Sequence, residues 1–250
     1  MKTKQLLFLC LFGILAANAQ VDSLSVSKID DSASSKNFET AATRKEFNLR
    51  YAHHSFSAAL PLAAVGLALM PVDDYVSSSV QTNMPDFELK FDDYLQYAPW
   101  AAHLAMGAFG VKGVSKNRWQ VLTADAMAAV MMAATVKGLK ICVNRTRPNG
   151  EDESFPSGHT AKAFMGATLL AHEYGNRSVW IPIAGYTVAT ATGVMRVLNN
   201  RHYMSDVIVG AAVGILTAEL AYWATDAIFN DRKLFKSHYN VNADYIIKNY

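Results

Sequence analysis

A chain of 250 residues with 23 basic and 21 acidic side chains carries a formal charge of only +2, which excludes the strongly basic surface that nucleic-acid binding requires. It has two cysteines, Cys10 and Cys142, and the first lies in a segment that reads as a leader, so an internal disulfide is excluded. The length suits one domain with a substantial core.

In chain order, Lys2 and Lys4 precede an apolar run from Leu6 to Leu15 and the small-residue pattern Ala17-Asn18-Ala19, which predicts a secretory signal over residues 1–19. Residues 20–49 are rich in Ser, Asp and Lys and predict an exposed, poorly ordered leader. The domain proper is expected over residues 50–230, followed by a polar tail at 231–250. Within it, apolar stretches dense in Ala, Gly and Met run at about 55–72, 95–111, 119–143, 157–173, 178–198 and 205–228. They are too long and too poor in β-branched alternation for strands, and predict an all-α bundle of about six helices.

These stretches suit a membrane. A charge at a bilayer centre costs roughly 2.5–3.5 kcal/mol, so Asp125, Lys162 and Glu219 are expected to face the bundle interior. Gly210-x-x-x-Gly214 reads as close helix packing within the bundle. Charge bias further predicts that residues 55–72, with Pro61 and Pro71, do not fully cross. Five crossings then place Lys112, Lys116, Arg118 and the tail's Arg232, Lys233 and Lys236 on the cytoplasmic side.

Three short motifs lie at boundaries of the apolar stretches. The first is Lys140 with Arg147-Pro148; on a helix ending near Pro148, Lys140, Asn144 and Arg147 would share a face, and a lysine with a forked guanidinium suits a tetrahedral oxyanion. The second, Phe155-Pro156-Ser157-Gly158-His159, predicts a helix start with proline in the first turn, free backbone N–H groups for an anion and an adjacent imidazole. The third sets Arg196 six residues before His202 and ten before Asp206. A carboxylate one helical turn from an imidazole can hold one ring nitrogen and leave the other free to attack. Alone, each motif also fits a plain structural role: a charge at a helix end, a capped helix start, a His-Asp cap.

In this order the motifs resemble the type 2 phosphatidic acid phosphatase superfamily, which includes bacterial acid phosphatases and vanadium-dependent haloperoxidases. The resemblance covers about residues 95–228. It departs in two places: Met195 stands where the family has serine, and seven residues separate Pro148 from Pro156, a short connection for the family that leaves little room for a lid. The resemblance implies a helical-bundle phosphatase with His202 as nucleophile and Asp206 orienting it. His159 would protonate the leaving oxygen and later activate water, while Lys140, Arg147, Ser157, Gly158 and Arg196 hold the phosphoryl oxygens. No metal or other cofactor is implied.

Other polar residues read differently. His53-His54 lacks the partners of a metal site. His103, Asp125 and Glu219 read as satisfied interior groups, and Met127, Met131 and Met132 as core. The expectation is thus an exported phosphatase of the bacterial envelope, acting on a phosphorylated lipid or lipid-linked group with its site facing the periplasm. Phosphatidic acid, phosphatidylglycerol phosphate, polyprenyl diphosphate and lipid A are the candidate substrates by resemblance. Residues from Asp92-Asp93-Tyr94-Leu95 onward also resemble lipid A phosphatases. A soluble periplasmic acid phosphatase and a haloperoxidase are the alternatives.

Overall fold

The computed structural model describes residues 58–85, 87–115 and 117–230, with Asn230 described in its backbone only. The expected signal, leader and tail, together with His53, His54, Asp86 and Lys116, lie outside the described residues.

Every expected apolar stretch contains a helix: α1 (Ala58–Ala68), α4 (Ala98–Ala108), α5 (Arg118–Val143), α6 (Gly158–Tyr174), α7 (Trp180–Leu198) and α8 (Met204–Asn230). Two polar helices join them, α2 (Asp73–Asn83) and the single turn α3 (Asp92–Leu95). Both open on paired acids, Asp73-Asp74 and Asp92-Asp93, which suit the positive end of a helix. No strand occurs among the described residues. The first helix stops at Ala68, short of the expected 72, because Pro71 cannot donate a helical hydrogen bond; a 3-10 turn over Met70–Val72 takes over and the chain bends by 42°.

The central element is α6, buried on nearly all sides, with α4, α5, α7 and α8 packed around it. Small residues set how closely these helices approach. A Cβ on Gly214 would stand 2.2 Å from the Ala161 carbonyl oxygen, and one on Gly210 would stand 2.6 Å from that of Ser157. Gly210-x-x-x-Gly214 is therefore a seam inside the bundle, as its spacing predicts. It also draws the start of α8 against the start of α6, where the Ser157 N–H donates to the Asp206 carbonyl oxygen at 2.9 Å.

Helices α5, α7 and α8 are long and apolar enough to cross a membrane. Val130 and Ile141 on α5 and Ile183 on α7 point outward. The charges inside these stretches turn inward as expected: Asp125 and Glu219 are buried, and Lys162 donates to Gln96 Oε1 and to the Tyr97 hydroxyl, both at 3.0 Å. At the end of the bundle away from the motifs, His103 Nε2 lies 3.1 Å from Asp125 Oδ1, and Glu173 accepts from Ser115 and Tyr222. Met132 is buried in the core, with Met127 packed against it.

Candidate active site

The first motif is not on one helix. Helix α5 ends at Val143, and Asn144 takes a left-handed conformation (φ 45°) with its N–H on the Lys140 carbonyl oxygen. Asparagine tolerates that geometry, and Pro148 biases Arg147 away from helix, so the expected shared face of Lys140, Asn144 and Arg147 does not form. The chain instead doubles back: Arg147 N donates to Glu151 O and Ser154 N to Arg145 O, each at 2.7 Å. This turn still leaves both cations beside the other motifs. Lys140 Nζ donates to the Glu153 carbonyl oxygen, and Arg147 pairs with Glu151 at 2.6 Å while its buried Nε has no partner.

The second motif also differs in detail. Pro156, joined to Phe155 by a cis peptide, precedes the helix, and the N-cap is Ser157. The Ser157 hydroxyl oxygen accepts from Thr160 N and lies 2.9 Å from Thr160 Oγ1, so a fully buried cap occupies the side chain expected to touch phosphate. Gly158 opens α6, and His159 follows in its first turn, lining a cavity of about 850 Å³ with Arg196, Asp92, Asp93 and Arg201. Its Nε2 is 2.9 Å from Asp93 Oδ1.

Arg196 lies in the last turn of α7, its guanidinium on Asp92 Oδ2 at 2.8 Å and its buried Nε without a partner. The chain then reverses through Asn200 (φ 57°), and the N–H groups of Arg201 and His202 both donate to the Arg196 carbonyl oxygen. His202 therefore lies before α8, which starts at Met204, rather than on the same helix as Asp206. The pair still meets across that first turn, with His202 Nδ1 3.7 Å from Asp206 Oδ2. That is an ion-pair separation too long for a hydrogen bond. Burial pushes the His202 imidazole down to about 4; Arg196 and Arg147 act in the same direction, and Asp206 opposes them. The ring is accordingly neutral at ordinary pH, the form that attacks an electrophile.

Several residues escaped the sequence reading. Arg145 bridges two buried carboxylates, donating to Asp206 Oδ1 at 3.0 Å and to Asp73 Oδ2 at 2.9 Å, and its guanidinium lies 4.1 Å from the Tyr203 ring centre. Asp206 further accepts from Ser154 Oγ at 2.5 Å and Tyr203 N at 3.0 Å. Arg145 sits two residues before Arg147, which was a signal of sorts; Asp73 and Ser154 carried none. Among the described residues no group of three or more His, Cys, Asp or Glu could hold a metal ion.

Residues 149–229, which carry the second and third motifs, match the family model of the PAP2 superfamily. The chain is 47% identical over 173 residues to the lipid A 1-phosphatase of Porphyromonas gingivalis, covering 69% of this chain and 39% of that protein. It is 32% identical over 81 residues to the bacitracin transport permease protein BcrC of Bacillus licheniformis, covering 32% of this chain and 38% of that one. The chain thus spans less than two fifths of the curated relatives it matches. Among solved structures, the transmembrane PAP2-type phosphatidylglycerolphosphate phosphatase from Bacillus subtilis shares the fold, with a TM-score of 0.50 at 19% identity over 74% of this chain and 98% of that one. With three motifs gathered at one end of an all-α bundle and a matching family model over two of them, residues 149–229 are identified as a segment of the PAP2 superfamily.

Proposed function

We propose that this protein is a metal-independent phosphatase that releases phosphate from a lipid or lipid-linked substrate through a phosphohistidine on His202. The observation that carries the reading is that Arg147 Nε and Arg196 Nε, from two distant motifs, are among the buried nitrogens without partners, and that both guanidinium groups act on the buried His202 ring. Buried donors ordinarily find partners, and two guanidinium edges beside a neutral imidazole suit a phosphoryl group. Asp206, held by Arg145, Ser154 and the Tyr203 N–H, orients the His202 ring. The ring attacks phosphorus while His159 protonates the leaving oxygen, and His159 then takes a proton from the water that hydrolyses the phosphohistidine. Lys140, Arg147, Arg196 and the Gly158 N–H neutralise the equatorial oxygens, with Ser157 acting mainly through the cap that aims that N–H. Phosphoryl transfer needs alignment and charge neutralisation more than covalent help, which is why fixed cations can serve in place of Mg²⁺.

The lipid half of the proposal is supported by the apolar helices and by relatives that are named for lipid phosphates, with lipid A 1-phosphate leading on identity. Phosphate release by the detergent-purified protein from lipid A, phosphatidic acid, phosphatidylglycerol phosphate and a polyprenyl diphosphate tests it. Activity is expected to be fastest on lipid A, to persist in excess chelator and to be blocked by vanadate. Loss of activity in EDTA, restored by a divalent ion, refutes the metal-independent reading. Partition into buffer rather than detergent would instead favour a soluble acid phosphatase.

The site is proposed to face the periplasm. Lys112, Arg118 and Arg177 lie at the opposite end of the bundle, where Arg177 Nε donates to the Lys112 carbonyl oxygen, and exposed Trp119, Trp180 and Trp223 mark the same end. Basic loops favour the cytoplasmic side and tryptophans the interface. The 42° break after α1 suits a segment that does not cross. Single cysteines at Ser79, Ser115 and Ser237 in a Cys142-free background are expected to react with an impermeant thiol reagent only at position 79. Labelling at 115 in intact spheroplasts overturns the topology.

A further inference from the structure

The three motifs do not include Asp93, yet its carboxylate meets the ring of His159. We propose that Asp93 is a positioning residue that holds the His159 ring through Nε2 and so aims Nδ1 at the departing leaving group. The inference rests on the phosphatase reading above. Asp93 Oδ1 is 2.9 Å from His159 Nε2 and 3.7 Å from an Arg196 nitrogen.

The place of that carboxylate is built rather than incidental. Its neighbour Asp92 is buried, accepting from Arg196 at 2.8 Å and from Asn199 Nδ2 at 3.1 Å. The Asn199 amide also brackets Leu89, accepting from its N–H at 3.0 Å and donating to its carbonyl oxygen at 2.8 Å. On the other side, Gln96 Nε2 donates to the Asp93 carbonyl oxygen at 2.7 Å, and Gln96 Oε1 accepts from Lys162, one turn beyond His159 on α6. Helix α3 is therefore tied both to the end of α7 and to α6, and these ties set the carboxylate against the ring. The arrangement mirrors Asp206 beside His202, with one acid for each imidazole.

The chemistry requires such a partner. As the phosphorus bond to His202 forms, the bond to the leaving oxygen breaks with its electron pair going to that oxygen, and a proton from His159 Nδ1 quenches it. Nε2–H stays on the Asp93 carboxylate; burial and Arg196 pull the His159 imidazole down to about 4, and Asp93 together with the incoming phosphate dianion opposes them, so that the imidazolium forms once substrate is bound. Water then attacks phosphorus, its proton returns to His159 Nδ1, and the phosphorus–nitrogen bond breaks with its pair returning to His202. Asp93 is unchanged throughout.

Leaving-group dependence separates this role from a structural one. First-turnover release of the leaving group is measured for phosphatidic acid, whose alkoxide needs a proton, and for 4-nitrophenyl phosphate, whose phenolate does not. Asp93→Asn is expected to slow the first by about tenfold or more and the second by less than about threefold, with Asp93→Glu recovering much of the loss. Asp93 is half-exposed, so the substitution leaves the core intact. Equal slowing of both esters, no slowing of either, or a fall in KM at constant kcat would each overturn the inference, the last by showing a carboxylate that merely competes with phosphate at Arg196. A wild-type protein that releases no phosphate from either ester or from lipid A overturns the phosphatase reading itself, and this inference with it.

Discussion

His202→Ala is expected to abolish phosphate release, and His159→Ala to reduce it by about 10²–10⁴-fold, the range spanned by a positioned general acid. The two rings do different steps. His202 carries the phosphoryl group, so its loss removes the intermediate; His159 only moves protons, so its loss leaves a slow reaction for substrates with good leaving groups. The double variant is expected to be no worse than His202→Ala alone, because residues acting as a unit are not additive. Asp206→Asn is expected to be less severe than His202→Ala, since it orients without reacting. Phosphohistidine trapped by rapid quench with a radiolabelled substrate should vanish in His202→Ala and accumulate in His159→Ala, whose water step is impaired. Each variant's thermal unfolding in detergent checks that the bundle persists. Unchanged turnover in either single variant sinks the mechanism.

The helices were legible because each is an apolar run whose composition already speaks, and α5 through α8 fall within a few residues of the stretches read from sequence. What the sequence could not show was how the motifs are held. The first motif looked like a helix face because Lys140, Asn144 and Arg147 have helical spacing. Pro148 and the left-handed Asn144 ended the helix early, and backbone hydrogen bonds between Arg147 and Glu151 and between Arg145 and Ser154 took over the positioning. Periodicity reports which residues would align if a helix continued; whether it continues depends on bonds to residues further along the chain. The carboxylates were illegible for a similar reason. Asp73 lies 72 positions from Arg145, and Asp92 lies 104 from Arg196, so their pairing exists only once α2 and α3 dock on the ends of α7 and α8. In sequence Asp92 entered only as the start of a stretch similar to lipid A phosphatases, with no partner assigned to it.

Among these hidden contacts Arg145 carries the most energy. Asp73 and Asp206 are both buried, and Ser205 N and Oγ also donate to Asp73, so the two carboxylates share one network with a single guanidinium between them. Replacing that guanidinium strands two negative charges in a region that water reaches poorly. Removing one partner of a buried ion pair costs about 3–5 kcal/mol, and because Arg145 is itself partly exposed the lower end applies, about 3 kcal/mol. Arg145→Ala is therefore expected to lower stability in detergent by about that amount, and to impair turnover as Asp206 loses the donor that fixes it beside His202. Asp73→Asn removes one of the two charges and leaves Arg145 paired with Asp206, so its cost should be smaller, about 1–2 kcal/mol, with most activity retained. Arg145→Lys keeps the charge but cannot reach both carboxylates with one planar fork, and should fall between wild type and Arg145→Ala. Combining Arg145→Ala with Asp73→Asn should cost less than the sum of the two, because the second change relieves one of the stranded charges. An Arg145→Ala protein that unfolds within about 0.5 kcal/mol of wild type, or strict additivity of the pair, would show that the bridge contributes nothing to holding Asp206 in place.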